Sequence, residues 1–175
     1  MLFVGTFEPR KNLHKYLQAI SKLPTGILEE VNFILAGSQG WGSDSVFELI
    51  ERYNLQSFVS VVLSPNFETL QRLYSNCEFL SMPSLYEGFG LPVVEALSAG
   101  KPSLVSNNSC FQEVAGSSGV YVDPFNIDDI ALGLETLLTD IDLYKQKQQF
   151  AIQRRKNFSW QKTANDMIEV FSQFI

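Results

Sequence analysis

The 175-residue sequence has two cysteines, few basic residues and no long hydrophobic run. No apolar stretch reaches the roughly 20 residues that a membrane-spanning helix needs, so we expect no transmembrane segment. Cys77 and Cys110 lack the spacing of a metal-binding pair and are typical of thiols in a reducing compartment. Residues 1–5 are too short and too poor in basic residues to form a secretory signal. We therefore expect a cytoplasmic protein, or one held peripherally at the inner face of a membrane by the rest of a longer chain.

The chain is acidic, with 13 Lys and Arg against 19 Asp and Glu and a net charge of −6. This balance argues against binding to nucleic acid, whose affinity for proteins depends on clustered positive charge. Between Leu23 and Tyr144 only Arg52, Arg72 and Lys101 are basic. Any bound anion would therefore meet few cations.

Short apolar runs alternate with helical patterns along the whole chain. The candidate strands are mostly unbroken apolar runs, as in parallel strands buried on both faces; they cover 2–5, 31–36, 58–63, 78–82, 102–106 and 120–122. Helical periodicity is clearest over 13–20 with Asn12 as its N-cap, over 127–138 and over 160–171. The alternation predicts an α/β fold: one Rossmann-like, doubly wound parallel sheet of about six strands with helices on both faces.

Two adjacent cations follow the first predicted strand. In an open α/β sheet, ligands bind outside the carboxyl ends of the strands, and Arg10 and Lys11 lie at that edge. Positive charge beside a helix N-terminus is unfavourable unless an anion binds there. The segment lacks the glycine fingerprints of dinucleotide-binding and P-loop sites. An ordinary solvated pair of cations is the alternative interpretation.

The segment after the fourth predicted strand combines a glycine-rich turn with a helix start. Gly88 and Gly90 permit a tight turn and close approach of a ligand, and Pro92 suits the first turn of a helix. The backbone amides of Phe89, Gly90 and Leu91 would then point out of the helix N-terminus, where phosphate oxygens bind.

Two carboxylates flank this turn. Glu87 precedes it, and Glu95 lies about one turn inside the following helix. Carboxylates accept hydrogen bonds from hydroxyls, and a nucleotide sugar offers one diol on its ribose and another on its hexose. The alternatives are that Glu95 interacts only with the helix dipole and that Glu87 is a solvated loop acid.

The segment Glu-Gly-Phe-Gly-Leu-Pro-Val-Val-Glu-Ala at 87–96 resembles the E-x7-E signature of family-4 retaining glycosyltransferases, which have the GT-B fold of two Rossmann-like domains. Residues 3–13 resemble the opening of the C-terminal, donor-binding domain of that family. Further landmarks match in order at 35–37, 99–102, 106–107 and 122–124. One departure is Thr6, because many members place an arginine directly after the first-strand glycine.

The resemblance implies roles for the named residues. Arg10 and Lys11 would neutralise the donor diphosphate, together with the amides that follow Gly88. Glu95 would hold the ribose hydroxyls, and Glu87 would hold hydroxyls of the transferred sugar. Arg10, Lys11 and Glu87 are thus the catalytic candidates.

No metal and no organic cofactor is implied. Ser64, after the third strand, would meet the base of the donor through its backbone. The triplet Asp140-Ile141-Asp142 has the letters of a D-x-D metal motif, but it lies between two helical patterns, where Asp commonly caps a helix. His14 is interpreted as a surface residue of the first helix.

As a whole, residues 1–175 resemble a nucleotide-sugar-binding domain that lacks the N-terminal acceptor domain. With that domain the protein would transfer a hexose, as a mannosyltransferase does, to a carbohydrate or lipid-linked acceptor with retention, in polysaccharide, lipopolysaccharide or glycolipid synthesis. Alone it would bind donor but transfer little. The final helix, about 160–174, is expected to pack toward the absent domain. The alternatives are a GT-B nucleotide-sugar epimerase and a non-catalytic Rossmann-like nucleotide-binding module.

Overall fold

The structure, a computed structural model, describes residues 1–41 and 45–174. In this part of the chain, six strands form one sheet in the order β3-β2-β1-β4-β5-β6, and every neighbouring pair is parallel. The strands are β1 (Leu2–Val4), β2 (Phe33–Gly37), β3 (Val59–Leu63), β4 (Leu80–Met82), β5 (Ser103–Ser106) and β6 (Gly119–Val122). The predicted doubly wound parallel sheet is confirmed.

Helices connect the strands and continue after the last one. They are α1 (Leu13–Ile20), α2 (Thr25–Glu30), α3 (Val46–Arg52), α4 (Phe67–Asn76), α5 (Leu91–Ser98), α6 (Phe111–Ala115), α7 (Ile127–Thr139), α8 (Ile141–Arg154) and α9 (Trp160–Ser172). Short 3-10 turns lie at Pro9–Lys11, Gly116–Ser118 and Arg155–Asn157. The three helices predicted from periodicity are α1, α7 and α9.

The predicted strands start too early in several places. The second was expected from residue 31, but β2 begins at Phe33, where pairing with Val59 of β3 begins. Val31 and Asn32 instead join α2 to the sheet. Apolar character continues past the ends of the ladder, so it does not mark where pairing starts.

Side chains alternate between the two faces of the sheet, and each face carries its own core. Phe3 belongs to the cluster under α1, α2, α3 and α7. Leu2 and Val4 belong to the cluster under α4, α5 and α6. Burial on both faces explains why the strands are unbroken apolar runs.

The strand order reverses direction between β1 and β4, which pair directly through Leu2 and Leu80. Such a switch point opens a crevice at the carboxyl ends of the two strands, because the connections on either side lead to opposite faces. The segments that follow β1 and β4 therefore border the same crevice.

Asn12 corrects a prediction. It occupies the position before α1, but its backbone is left-handed (φ 60°) and its side chain makes no capping hydrogen bond. A capping residue is normally extended. Instead, Asn12 Nδ2 donates to the carbonyl oxygens of Pro83 (3.0 Å) and Pro124 (2.8 Å). The side chain thus joins the loops that follow β1, β4 and β6.

The last helix has no buried residue. Every described residue of α9 is exposed, including Trp160 (82% exposed), Met167, Ile168 and Phe171. Its apolar residues recur at helical spacing, as predicted. Within the described part of the chain, no core covers this apolar stripe of Trp160, Met167, Ile168 and Phe171.

Candidate functional site

The loops that follow β1 and β4 are joined at the crevice. Leu85 N donates to the carbonyl oxygen of Arg10 (2.7 Å), and Arg10 Nη1 donates to the carbonyl oxygen of Tyr86 (3.3 Å). The cations predicted after the first strand therefore meet the segment predicted after the fourth. The structure brings Arg10, Lys11 and Glu87 into direct contact.

Glu87 forms an ion pair with each of the two cations. Lys11 Nζ lies 2.7 Å from Oε1, and Arg10 Nη1 lies 2.6 Å from Oε2, so each carboxylate oxygen has its own positive partner. Lys11 is 4% exposed and Glu87 7% exposed. The backbone N–H of Glu87 donates to Ser109 Oγ (3.2 Å). The alternative of a solvated loop acid at Glu87 is therefore wrong, and of the alternative of a solvated pair of cations only the partial exposure of Arg10 remains.

Glu8 is a member of the cluster that sequence reasoning missed. Its Oε1 lies 2.6 Å from Arg10 Nε, on the other side of the guanidinium from Glu87. Partial burial opposes the charge of Arg10, but the neighbouring carboxylates of Glu87 and Glu8 outweigh it and raise the pKa of Arg10. A single acid two positions before an arginine gives no signal in sequence. Its role depends on the turn at Pro9–Lys11.

Two cations and two carboxylates leave this cluster formally neutral. Part of the Arg10 side chain remains exposed, so an incoming anion could contact it without unfolding the loop. Lys11 packs closely over Gly5, where an added Cβ would lie 2.9 Å from Lys11 Cε. A side chain at position 5 would have to push the end of the buried lysine aside.

The N-terminus of α5 opens beside this cluster. Gly90, at the N-cap, is left-handed (φ 80°), and Pro92 lies in the first turn as predicted. Val93 N donates to the carbonyl oxygen of Gly90. Within residues 1–41 and 45–174, no hydrogen-bond partner is found for the N–H groups of Phe89, Gly90 and Leu91. These free donors at the positive end of a helix dipole form a favourable environment for an anion.

Glu95 lies one turn further along α5, about 6 Å from Leu91 along the helix axis. It is exposed and lines an open groove of about 680 Å³ between α4 and α5, together with Phe67, Gln71 and Ser98. The groove therefore begins one helical turn beyond the free amides.

Tyr74 of α4 is a second residue that sequence reasoning missed. Its hydroxyl donates to Glu95 Oε2 at 2.5 Å, and the side chain is 5% exposed. Burial raises the pKa of Tyr74, and the hydrogen bond to Glu95 and its charge raise it further. The phenol therefore stays protonated and acts as the donor. Because the two residues are on different helices, no local spacing reveals the pair.

Ser64 lies apart from the ion cluster. It is exposed, its backbone is left-handed (φ 47°), and its N–H donates to the carbonyl oxygen of Gly37 (2.7 Å). Among the described residues, no hydrogen bond joins Ser64 to Glu87 or Glu95. Its backbone N–H is therefore already engaged within the fold.

The remaining polar candidates have structural positions. Asp140 caps α8 by accepting from Leu143 N (2.9 Å), as expected for the D-x-D letters. His14 is exposed, with Nε2 3.1 Å from the Tyr53 hydroxyl. In residues 1–41 and 45–174 no group of three His, Cys, Asp or Glu could hold a metal ion. No helix in that part of the chain is long and apolar enough to cross a membrane.

Comparison with known proteins gives consistent matches. The profile of the family described as "Glycosyl transferases group 1" matches residues 1–157. O-antigen chain mannosyltransferase B of Escherichia coli is 34% identical over 170 residues, covering 97% of this chain and 45% of that protein. Sucrose-phosphate synthase of Thermosynechococcus elongatus superposes with a TM-score of 0.86 at 26% identity, over 99% of this chain and 44% of that one.

A third match is the Anabaena protein HepE in complex with UDP-glucose. Its TM-score is 0.82 at 21% identity, over 98% of this chain and 48% of that one. At this identity the likeness is one of fold. The chain spans less than half the length of each of the three proteins.

Proposed function

Because the chain belongs to the family of group 1 glycosyl transferases, we propose that residues 1–175 bind a nucleoside-diphosphate sugar as the donor-binding half of a retaining GT-B glycosyltransferase. The observation that carries the proposal is the contact of Arg10 and Lys11 with Glu87 at the switch point, beside the free amides of α5. Cations and amide donors converge there on one crevice.

The donor diphosphate binds at this convergence. Arg10 offers a positively charged side chain that is partly exposed, and the N–H groups of Phe89, Gly90 and Leu91 offer uncharged hydrogen-bond donors. When the bond between the sugar and the diphosphate breaks, negative charge grows on the leaving phosphate. Fixed donors and cations stabilise that charge without reorganising, which lowers the barrier. The chemistry requires no metal at this position.

Glu87 has two roles in this proposal. It holds Lys11 and Arg10 in the crevice, and it retains lone pairs, because each carboxylate oxygen accepts up to two hydrogen bonds. These lone pairs accept hydrogen bonds from hydroxyls of the transferred sugar, whose ring becomes positively charged in the transition state. Retention follows from reaction on one face of the sugar, with no side chain of this chain acting as nucleophile.

The nucleoside lies along the groove between α4 and α5. Glu95 accepts the ribose hydroxyls about one helical turn from the phosphate site, a distance that suits a nucleoside diphosphate. The base lies toward the end of β3, where the Ser64 carbonyl can accept from it.

The donor sugar is a hexose, and mannose is the first candidate. The relative from Escherichia coli is named as an O-antigen mannosyltransferase, and the structural neighbour HepE binds UDP-glucose. The acceptor is then a growing polysaccharide or a lipid-linked glycan, held mainly by the N-terminal domain. No feature of the described residues favours an epimerase or a non-catalytic module.

The apolar stripe of α9 packs against that N-terminal domain. Trp160, Ile168 and Phe171 are exposed along one helix, too much apolar surface to face water in the complete protein. Lys162, Asp166 and Glu169 on the rest of the helix sum to a net negative charge, which disfavours an acidic membrane surface. A protein domain suits this helix better.

A binding panel tests the donor proposal. Calorimetry of the 175-residue chain with GDP-mannose, UDP-glucose, GDP, UDP and NAD should give binding to at least one nucleoside diphosphate and none to NAD. A ligand at 100 times its Kd also raises the free energy of unfolding by about 2.7 kcal/mol, measurable as a thermal shift. Binding to NAD alone would contradict the proposal.

A further inference from the structure

The bond between Tyr74 and Glu95 spans the groove between α4 and α5. Tyr74 is buried, and its ring packs in the core cluster under α4, α5 and α6. Glu95 is exposed and lies on α5. The bond therefore joins a side chain fixed by the core to one that would otherwise be free in solvent.

Exposed glutamates populate several rotamers, because three torsions separate the carboxylate from the backbone. The Tyr74 hydroxyl, a hydrogen-bond donor 2.5 Å from Oε2, selects one of these rotamers. Since the phenol is buried and faces a carboxylate, it remains protonated and keeps donating. The carboxylate keeps Oε1 and the second lone pair of Oε2 for a ligand.

We propose that Tyr74 is a positioning residue that fixes the Glu95 carboxylate to accept the vicinal hydroxyls of a ribose, and that it thereby selects ribonucleotide over 2′-deoxyribonucleotide donors. The inference rests on the proposed function and deepens it. Tyr74 lines the same groove, but its hydroxyl is occupied by the bond to Glu95. Its effect passes through Glu95, which it holds in place before the ligand arrives.

Tyr74→Phe tests the inference, because it removes only the hydroxyl and leaves the ring in the core. Calorimetry would use five probes: GDP, UDP, the 2′-deoxy form of each, and inorganic pyrophosphate. The unsubstituted protein, the parent, should bind whichever of GDP and UDP it prefers about tenfold more tightly than the 2′-deoxy form of the same nucleotide. This is the ratio expected for one hydrogen bond to a charged group. In Tyr74→Phe this ratio should fall towards one, while the affinity for pyrophosphate stays unchanged.

Glu95→Ala is the second variant, since it removes the group that Tyr74 acts on. It should lose the same preference for ribonucleotides over 2′-deoxyribonucleotides. The double variant should lose no more, because the two changes remove one and the same interaction. Tyr144→Phe is the matched control: the Tyr144 hydroxyl donates to the Glu78 carbonyl before β4, at the opposite edge of the sheet. It should keep the parent ratio.

The outcomes separate the inference from the proposed function. If the parent prefers ribonucleotides and Tyr74→Phe keeps that preference, the positioning role is wrong while donor binding stands. The same holds if the parent binds nucleoside diphosphates without regard to the 2′-hydroxyl. If Tyr74→Phe weakens pyrophosphate as much as the nucleotides, Tyr74 has only a general structural role. If the parent binds none of the probes, both proposals fail.

Discussion

Lys11 and Glu87 form a buried ion pair, with Nζ 2.7 Å from Oε1, across the crevice between the ends of β1 and β4. The two residues are 76 positions apart in sequence, so the pair ties together the two strands that flank the switch point. A buried pair of this kind adds little net stability, because desolvation offsets much of the attraction. Losing one partner is different, since the other charge then stays buried and uncompensated.

Glu87→Gln should therefore destabilise the fold. The amide keeps the size of the side chain but removes the charge that faces Lys11. We expect the free energy of unfolding to fall by about 3–5 kcal/mol, measured by urea denaturation. The control is Lys162→Ala, which breaks the exposed pair with Asp166 on α9 and should cost less than about 1 kcal/mol.

A double variant separates stability from binding. Replacing Lys11 and Glu87 together by methionine removes both charges and should recover most of the lost stability, because a buried pair can often be exchanged for apolar residues. The recovered protein should still bind donor more weakly than the parent, because Glu87 no longer holds Arg10 in the crevice. Tight donor binding by this stable double variant would contradict the site.

Arg10→Ala should weaken donor binding without a comparable loss of stability. Arg10 is partly exposed, and its removal leaves Lys11 to pair with Glu87. We expect a loss of about 1.5–3 kcal/mol in nucleoside diphosphate affinity by calorimetry, the range for a hydrogen bond between charged groups. Lys162→Ala, a cation removed from α9, should bind as the parent does. Equal affinities for Arg10→Ala and the parent would remove Arg10 from the site.

The sequence predicted much of this fold, for a physical reason. Parallel strands buried on both faces are unbroken apolar runs, and helices packed on one side show their period, so β1, β4, α1 and α7 were visible. Arg10, Lys11 and Glu87 could be placed because residues after parallel strands share one edge.

The pairings within the site could not be predicted. Glu8 with Arg10 and Tyr74 with Glu95 depend on how a turn and two helices are placed in three dimensions. The prediction that Asn12 caps α1 was wrong for the same reason. In sequence Asn12 suits a helix cap, whereas in the fold its side chain lies beside two carbonyl groups from distant loops.

Asn12→Gly should show what those two bonds contribute. Glycine keeps the left-handed backbone available, so the variant isolates the side chain, which donates to Pro83 and Pro124. Both carbonyls lose a buried partner, and we expect a loss of about 1–3 kcal/mol in the free energy of unfolding. Asn54→Gly is the matched control, since Asn54 is also left-handed (φ 55°) but exposed. Equal effects of the two changes would mean that the side-chain bonds of Asn12 contribute nothing.

The two cysteines should differ in reactivity. Burial raises the pKa of the Cys77 thiol to about 11, so almost none of it is thiolate near neutral pH. Cys110 is half-buried, and its pKa is also raised, first by burial and then by nearby carboxylates. Because thiolate is the reactive form, alkylation of both should accelerate as the pH rises, with Cys110 always ahead.

Donor binding should protect Cys110 from alkylation. Its sulfur lies 3.8 Å from the position of a Cβ built on Gly90, at the N-terminus of α5 where the diphosphate binds. Mass spectrometry after brief iodoacetamide treatment should show slower labelling of Cys110 in the presence of a nucleoside diphosphate. Labelling of Cys77 in urea serves as the reference for full exposure. Unchanged Cys110 labelling at saturating ligand would place the diphosphate elsewhere.

Deleting α9 should leave the rest of the domain as stable as before. All its described residues are exposed, so a chain ending at Phe158 keeps both cores intact. We expect an unchanged midpoint of urea unfolding. We also expect less self-association by analytical ultracentrifugation, because the shortened chain lacks the exposed apolar residues Trp160, Ile168 and Phe171. The cut falls after Phe158 because its ring contacts Phe89 of the glycine-rich turn, with centroids 6.3 Å apart. A large drop in stability would show that α9 packs on this domain, and its apolar stripe would then be unavailable to an N-terminal domain.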